Sequence, residues 1–185
     1  MKAQHDFKIN ILGLTYKNFS GSYEYVLNKK SGVNITGGYF TTPKILKGLI
    51  RTAYSASGIA LEYRYYFNNS DNNATGFWVS PYLKYSGKKY KSIPADVSRD
   101  STNVDIPITD YLSQKSTIGG AMGVKFAVGN MIIIGAYFGI GRAVFSKETA
   151  SNHNLTKDQL EFLKKLDSNW QLRIGINLGF RLWRE

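Results

Sequence analysis

The stretch that decides the fold is WQLRIGINLGFRLW, residues 170–183. Every even-numbered position from 170 to 182 holds a large apolar residue, and every odd-numbered position from 171 to 181 holds a polar residue or glycine. Side chains of a β-strand alternate between two faces, so this pattern predicts one long strand with an apolar face and a polar face. A strand of about 9–11 residues can cross a bilayer in a barrel, whereas strands of globular proteins average about 5–6. The stretch is therefore typical of a membrane-spanning strand.

Seven earlier segments show the same alternation, and turn-forming residues separate them. The eight predicted strands are residues 7–14, 19–27, 33–40, 58–67, 76–85, 117–128, 131–145 and 170–183. Pro81 interrupts the fifth strand and predicts a β-bulge. Residues 129–130, Gly-Asn, predict a two-residue hairpin turn with positive φ. We expect an all-β, antiparallel, up-and-down barrel of eight strands.

The chain fits a single domain, residues 1–185, with an N-terminal tail at residues 1–6. Three long polar connections are predicted at about residues 41–57, 87–116 and 146–169. The connections after the second, fourth and sixth strands are short. Helical spacing within residues 44–51 and 156–166 predicts short helices inside two of the long connections. Short turns on the periplasmic side and longer loops on the extracellular side are the rule in outer-membrane barrels.

Composition limits the class of protein. The formal net charge is +11 and there is no cysteine, so a disulfide scaffold and thiolate metal sites are excluded. No run of 18 apolar residues is present, so no transmembrane helix is predicted. The opening residues, Met-Lys-Ala-Gln, are typical of a start codon placed near a mature N-terminus whose signal peptide has been removed.

Volume decides which face of the sheet meets lipid. The apolar faces carry about three dozen large side chains, whereas the interior of an eight-stranded barrel is only just filled by side chains. The other faces are rich in Gly, Ala, Ser and Asn, which suits a narrow polar lumen. We therefore expect the apolar face outside, in contact with lipid, which is the reverse of a soluble lipocalin-like carrier.

Two aromatic girdles follow from this orientation. The periplasmic one is Phe7, Tyr25, Tyr65, Phe67, Phe77, Phe180 and Trp183, and the outer one is Tyr16, Phe19, Tyr39, Tyr85, Phe145 and Trp170.

The overall pattern resembles the small OmpA/OmpX-type outer-membrane barrels. The segments SYEYVL (residues 22–27), EYRYYF (62–67), GFWVSPYLKY (76–85) and LGFRLW (178–183) are similar to a family of uncharacterised small barrels of Gram-negative bacteria. The resemblance implies a bacterial outer-membrane location and gives no activity. It also implies that Leu178, Phe180, Leu182 and Trp183 form the signal read by the outer-membrane assembly machinery, although Arg184 and Glu185 follow the last aromatic residue.

Charged residues on the inward faces predict a polar network in the lumen. Its predicted members are Glu24, Glu62, Arg64, Lys84, Lys125, Arg173 and Arg181, with Lys8 also facing inward. Two carboxylates among six cations should form ion pairs, because an unpaired buried charge is costly. We expect Arg173 and Arg181 to pair with Glu24 and Glu62, and the network either seals the lumen or lines a gated conduction path.

Enzyme, metal and nucleic-acid functions are disfavoured. The histidines are His5, in the predicted tail, and His153, in a loop, and neither lies beside a serine at a catalytic spacing. No cofactor or metal is predicted, and four loop aspartates (Asp96, Asp100, Asp105 and Asp110) match no calcium-loop pattern. Nucleic acid is not expected as a partner. Loop cations (Lys88, Lys89, Lys91 and Arg99) could contact lipopolysaccharide phosphates.

The sequence predicts a non-enzymatic outer-membrane barrel with a structural, adhesive or accessory-subunit role that acts through its extracellular loops. The expected partners are outer-membrane lipid, lipopolysaccharide, the assembly machinery and a larger envelope complex. Two alternatives remain at this point. The first is a small solute channel of the same fold, and the second is a soluble lipocalin-like carrier.

Overall fold

The computed structural model describes residues 3–15, 18–41, 54–67, 74–90, 111–129, 131–150 and 169–184. In chain order the elements are β1 (Ala3–Asn10), α1 (Ile11–Thr15), β2 (Asn18–Asn28), β3 (Ser31–Thr41), β4 (Tyr54–Tyr66), β5 (Gly76–Tyr90), β6 (Tyr111–Val128), β7 (Ile132–Ala150) and β8 (Trp170–Arg184). No helix in these parts of the chain is long and apolar enough to span a membrane.

The eight strands close into one antiparallel up-and-down barrel. Each strand pairs with its neighbours in sequence, and β8 returns to pair with β1 from Ala3↔Arg184 to Asn10↔Asn177. Closure leaves no unpaired edge strand, and in lipid this is required because no water is available to satisfy the backbone N–H and C=O groups of an edge. The predicted fold is confirmed.

The N-terminus differs from the prediction. Residues 3–6, expected to be a tail, form the first half of β1, and residues 11–14, expected to be strand, lie in α1. The strand begins earlier because the alternation of inward and outward side chains already starts at residue 4. Gln4, Asp6 and Lys8 are buried inside the barrel, whereas His5 and Phe7 are not buried. This correction adds a carboxylate, Asp6, to the interior of the barrel.

The strands at the outer end of the barrel, where the three long connections emerge, are longer than predicted. β4 begins at Tyr54, β5 ends at Tyr90, β6 begins at Tyr111 and β7 runs to Ala150. The predicted connections 41–57, 87–116 and 146–169 are therefore too long at these ends. A barrel wall that stands above the bilayer has water on its outer face, so its strands lose the apolar alternation that marks a membrane segment. The helices predicted within residues 44–51 and 156–166 lie outside the described residues.

Two local predictions are also corrected. β5 keeps the same register with β4 and β6 on both sides of Pro81, so the bulge predicted there is absent and only the β4 ladder is interrupted. A bulge lies instead on β7, where Ala143 pairs with Thr117 and Phe145 with Ser116, leaving Val144 between them. The turn after β6 begins at Gly129, whose φ is +61°, and has three residues because Val128 pairs with Ile132.

The apolar faces point outward on every strand. On β8 the even-numbered side chains from Trp170 to Leu182 are 41–70% exposed, whereas Gly175, Asn177 and Arg181 are buried. The soluble lipocalin-like carrier is therefore the wrong alternative, because a lipocalin places its apolar faces inside.

Aromatic side chains cluster on the outer face at the periplasmic end of the barrel. Phe7 stacks on Phe180 with ring centroids 5.4 Å apart, and Phe67 lies 5.5 Å from Phe77. At the other end Phe19 and Tyr39 are register partners on β2 and β3, and both are exposed. The side chains of Tyr16 and Trp183, which were assigned to these girdles, lie outside the described part of the structure.

Candidate functional site

The inward faces of the periplasmic half of the barrel carry a buried ion network centred on Glu24. This side chain lies on β2 and is fully buried. Its Oε2 accepts hydrogen bonds from Lys8 Nζ and from Arg64 Nη1, the latter at 2.9 Å. Its Oε1 accepts from Lys125 Nζ at 3.0 Å and from the Tyr66 hydroxyl. One carboxylate thus joins β1, β4 and β6 across the lumen.

Asp6 extends the network towards β8. Its Oδ1 accepts a hydrogen bond from Arg181 Nε at 2.8 Å, and its Oδ2 accepts one from Lys125 Nζ at 2.9 Å. Gln4 also donates to both carboxylate oxygens, at 3.2 and 3.1 Å. Because Lys125 binds both Asp6 and Glu24, the two carboxylates share one cation.

Glu62 on β4 extends the network in the other direction. Its Oε2 accepts hydrogen bonds from Arg64 Nε at 3.0 Å and Nη2 at 2.7 Å, and its Oε1 pairs with Arg173 Nη2 at 2.6 Å. Asn34 Nδ2 lies 3.3 Å from the same Oε2. Charge-assisted bonds of this kind are the strong ones in proteins, and here every carboxylate of the described network has at least two cationic partners.

Aromatic rings fill the space around these charges. The Arg64 guanidinium lies 4.2 Å from the centroid of the Trp78 ring, and Lys125 Nζ lies 4.5 Å from that of Tyr66. Trp78, Tyr66 and Tyr82 are almost completely buried. The charged groups and the rings together fill this half of the lumen with buried side chains.

The outer half of the lumen is more open and holds a cavity of about 300 Å³. Its charged lining residues are Lys84, Lys88 and Arg173, and no acidic residue of the described chain lines it. The remaining lining side chains are mainly hydroxyls and amides, including Ser20, Thr36, Ser86 and Gln171. The Arg173 guanidinium forms part of the boundary between the cavity and the ion network, because it also pairs with Glu62.

The structure brings together six of the seven predicted network residues and separates the seventh. Glu24, Glu62, Arg64, Lys125, Arg173 and Arg181 form the network described above. Lys84 lies outside it, in the outer cavity. Arg173 pairs with Glu62 as expected, but Arg181 pairs with Asp6 rather than with Glu24 or Glu62.

Sequence reasoning missed Asp6 and Tyr66 as members of the network. The signal for Asp6 was the polar alternation of Gln4, Asp6, Lys8 and Asn10, which extends strand one towards the N-terminus. Tyr66 sits on the inward side of β4, in line with Glu62 and Arg64, so its position was available from periodicity. Its hydrogen bond to Glu24 was not, because that contact joins strands whose distance across the lumen depends on the closed barrel.

The described residues hold no cluster of three or more His, Asp or Glu side chains that could bind a metal. His5 lies on β1 rather than in a tail, and its Nδ1 is 2.6 Å from the Tyr23 hydroxyl. Lys88 faces inward and Lys89 outward on β5. His153, Lys91, Arg99 and the aspartates Asp96, Asp100, Asp105 and Asp110 lie outside the described residues.

The fold and its sidedness define this chain as a small transmembrane β-barrel of the outer-membrane type. Barrels of this class are found in the outer membranes of Gram-negative bacteria, as the sequence predicted. No protein-family model matches the sequence, and neither does any curated protein.

Two solved structures are similar over almost the whole chain. One is Ail, the attachment invasion locus protein of Yersinia pestis, with a TM-score of 0.52 and 11% identity over 98% of this chain and 100% of that one. The other is CarO of Acinetobacter baumannii, with a TM-score of 0.53 and 11% identity over 97% of each chain. At this identity the similarity concerns the fold alone.

Proposed function

We propose that the protein is a non-conducting outer-membrane barrel that acts through its extracellular loops, in adhesion or as an accessory subunit of an envelope complex. The observation that supports this proposal is the occluded periplasmic half of the lumen. Three carboxylates and five cations of the described residues are linked there, and breaking such buried pairs is costly. A barrel that does not pass solutes has to act through its exposed surfaces, and the three long connections between strands emerge at its outer end.

A small solute channel of the same fold is the second candidate. The polar outer cavity of about 300 Å³ favours it, since a solute could enter the barrel that far. The two candidates differ in whether the ion network opens. No enzymatic activity is expected under either, and lipid, lipopolysaccharide and the assembly machinery are proposed as partners under both.

Conductance of the full chain in planar bilayers separates the two candidates. We expect no channel events from the wild-type protein and none from Glu62→Ala. The variant leaves Arg173 without its carboxylate, so its thermal stability should fall, with about 3–5 kcal/mol lost as is typical when a buried pair is broken. Glu148→Ala is the matched control, because Glu148 is an inward acid that lies above the network, opposite Ser113. Steady unitary conductance in the wild type would contradict the proposal.

Replacement of an extracellular loop tests whether the protein acts through its loops. Tyr90 and Tyr111 are register partners, so residues 91–110 can be replaced by an Asn-Gly turn without changing the pairing of β5 and β6. We expect this variant to insert into the membrane normally. Cells that display it should no longer attach, or the variant should no longer associate with the envelope complex. Replacement of the turn residues 29–30 is the control and should have no effect. Full attachment and association after replacement of 91–110, and likewise after replacement of 42–54 by a turn and of 151–168 by a flexible Gly-Ser linker that reaches from Ala150 to Asn169, would contradict a loop-based role.

A further inference from the structure

We propose that the outer cavity is a binding site for a phosphate group, carried either by a small solute that enters from the mouth of the barrel or by a lipid headgroup. The cavity has three cationic lining residues, Lys84, Lys88 and Arg173, and no acidic lining residue among those that the structure describes. This inference goes beyond the loop-based role and does not depend on it.

Arg173 supplies a buried donor among the residues that line the cavity. Its side chain is only 8% exposed, and its Nη2 is occupied by Glu62 Oε1 at 2.6 Å. Its Nη1 is buried and has no hydrogen-bond partner within the described part of the chain. A buried donor without a partner is costly, so a guanidinium left in this state favours an acceptor from outside the chain. The rings of Tyr82 and Tyr137, 4.7 and 5.6 Å away, hold it in place.

Lys84 adds uncompensated positive charge. It makes no hydrogen bond or ion pair with any described residue, and the charged groups acting on it are Arg173 and Lys88, both cations. Glu62, the nearest network acid, is already shared between Arg173 and Arg64. Placing Lys84 beside the Arg173 guanidinium inside a narrow lumen is unfavourable unless an anion lies between them.

The size and the neutral lining point to phosphate rather than to a simple halide. A phosphate group carries about −1.5 to −2 charges and three strong acceptor oxygens, and planar guanidinium groups bind it well. The hydroxyl and amide side chains around the cavity, such as Ser20, Thr36 and Gln171, supply further donors. A volume of about 300 Å³ leaves room for a small organic remainder beyond the phosphate, and it is at the lower end of the range for small-molecule sites.

Titration calorimetry of the refolded full chain in a neutral detergent, with inorganic phosphate as the probe, tests the site. We expect binding of one phosphate per barrel and a loss of about tenfold in affinity for Lys84→Gln, as for the removal of one charge-assisted hydrogen bond. Lys29→Gln is the matched control, because Lys29 lies in the exposed turn between β2 and β3 at the far end of the barrel. It should bind phosphate like the wild type.

A second variant places a negative charge in the cavity while leaving all three cations intact. Ser20, which lines the cavity, is changed to aspartate. Ser20→Asp should abolish phosphate binding while its thermal unfolding stays close to that of the wild type. Absence of binding to the wild type, or equal affinities for Lys84→Gln and Lys29→Gln, would overturn the proposal. Repeating the titration in nanodiscs with and without lipid A identifies the source of the phosphate. If lipid A weakens the binding of inorganic phosphate, the site takes a lipid headgroup phosphate. If lipid A leaves the binding unchanged, the site takes the phosphate of a soluble compound.

Discussion

At the scale of single residues, inward-facing glycines of β6 make room for the large rings of their register partners on β5. Gly119 and Gly123 of β6 point inward beneath Tyr82 and Trp78. A Cβ atom at Gly119 would lie 2.5 Å from a carbon of the Tyr82 ring, and one at Gly123 would lie 2.7 Å from the Trp78 ring. The rings of β5 therefore lie flat against the inward face of β6 and leave no room there for a side chain.

Gly119→Ala should destabilise the barrel by about 1–3 kcal/mol, because the added methyl group would clash with the Ile140 carbonyl oxygen and lie 2.5 Å from the Tyr82 ring. The adjacent Gly120→Ala should have little effect, since a Cβ there points outward and its nearest described neighbour, the Ser80 carbonyl oxygen, is 4.0 Å away. Urea unfolding in lipid vesicles, followed by tryptophan fluorescence, measures both variants. Equal stabilities would show that the two faces of β6 are wrongly assigned.

At the scale of elements, one face of β8 contacts lipid and the other face contributes arginines to the ion network. Its outward side chains at 174, 176 and 178 are apolar and exposed, whereas its inward arginines bind Glu62 and Asp6. It also closes the sheet by pairing with β1. The role of Leu178, Phe180, Leu182 and Trp183 as an assembly signal stays a prediction. The first three are exposed on the outer face, so they are accessible to the assembly machinery.

The cost of a charge on the outer face of β8 should depend on its depth in the bilayer. Ile176→Lys, near the middle of the strand, should lose about 2–4 kcal/mol, because that is the usual cost at the bilayer midplane. Leu182→Lys, near the periplasmic end, should lose about 0–1 kcal/mol. Unfolding in vesicles again gives both values. If the two substitutions cost the same, this face of β8 does not cross a bilayer.

At the scale of the whole molecule, the barrel is inverted relative to a soluble protein. The outer face carries exposed Leu, Ile, Phe and Tyr side chains, and the interior carries buried ion pairs. Such an arrangement is stable only where lipid covers the outside, because contiguous apolar patches of this size drive association in water.

The protein should accordingly stay in the membrane fraction after washing with high salt and alkaline carbonate, and detergent should release it. Loosely bound peripheral proteins in the same membranes serve as the control, since these treatments remove them. Recovery of monomeric, folded protein from buffer without detergent would contradict the outward assignment of the apolar faces.

The long-range pairing follows from the sequence to a large extent, and the contacts across the lumen do not. Alternation along residues 170–183 predicted β8 and its two faces, because the side-chain period of a strand is a local property. The strand ends at Tyr90, Tyr111 and Ala150 were missed, because above the bilayer the alternation disappears while the backbone ladder continues.

The sequence by itself determined the number of strands, their order, their inward and outward faces and most of the charges of the ion network, all of which depend on residues close together in the chain. Only the tertiary structure decided which carboxylate each cation binds. Arg181 meets Asp6, 175 positions away, and Lys84 is left with other cations above the network. These distances depend on the register and closure of all eight strands together, so no local pattern encodes them.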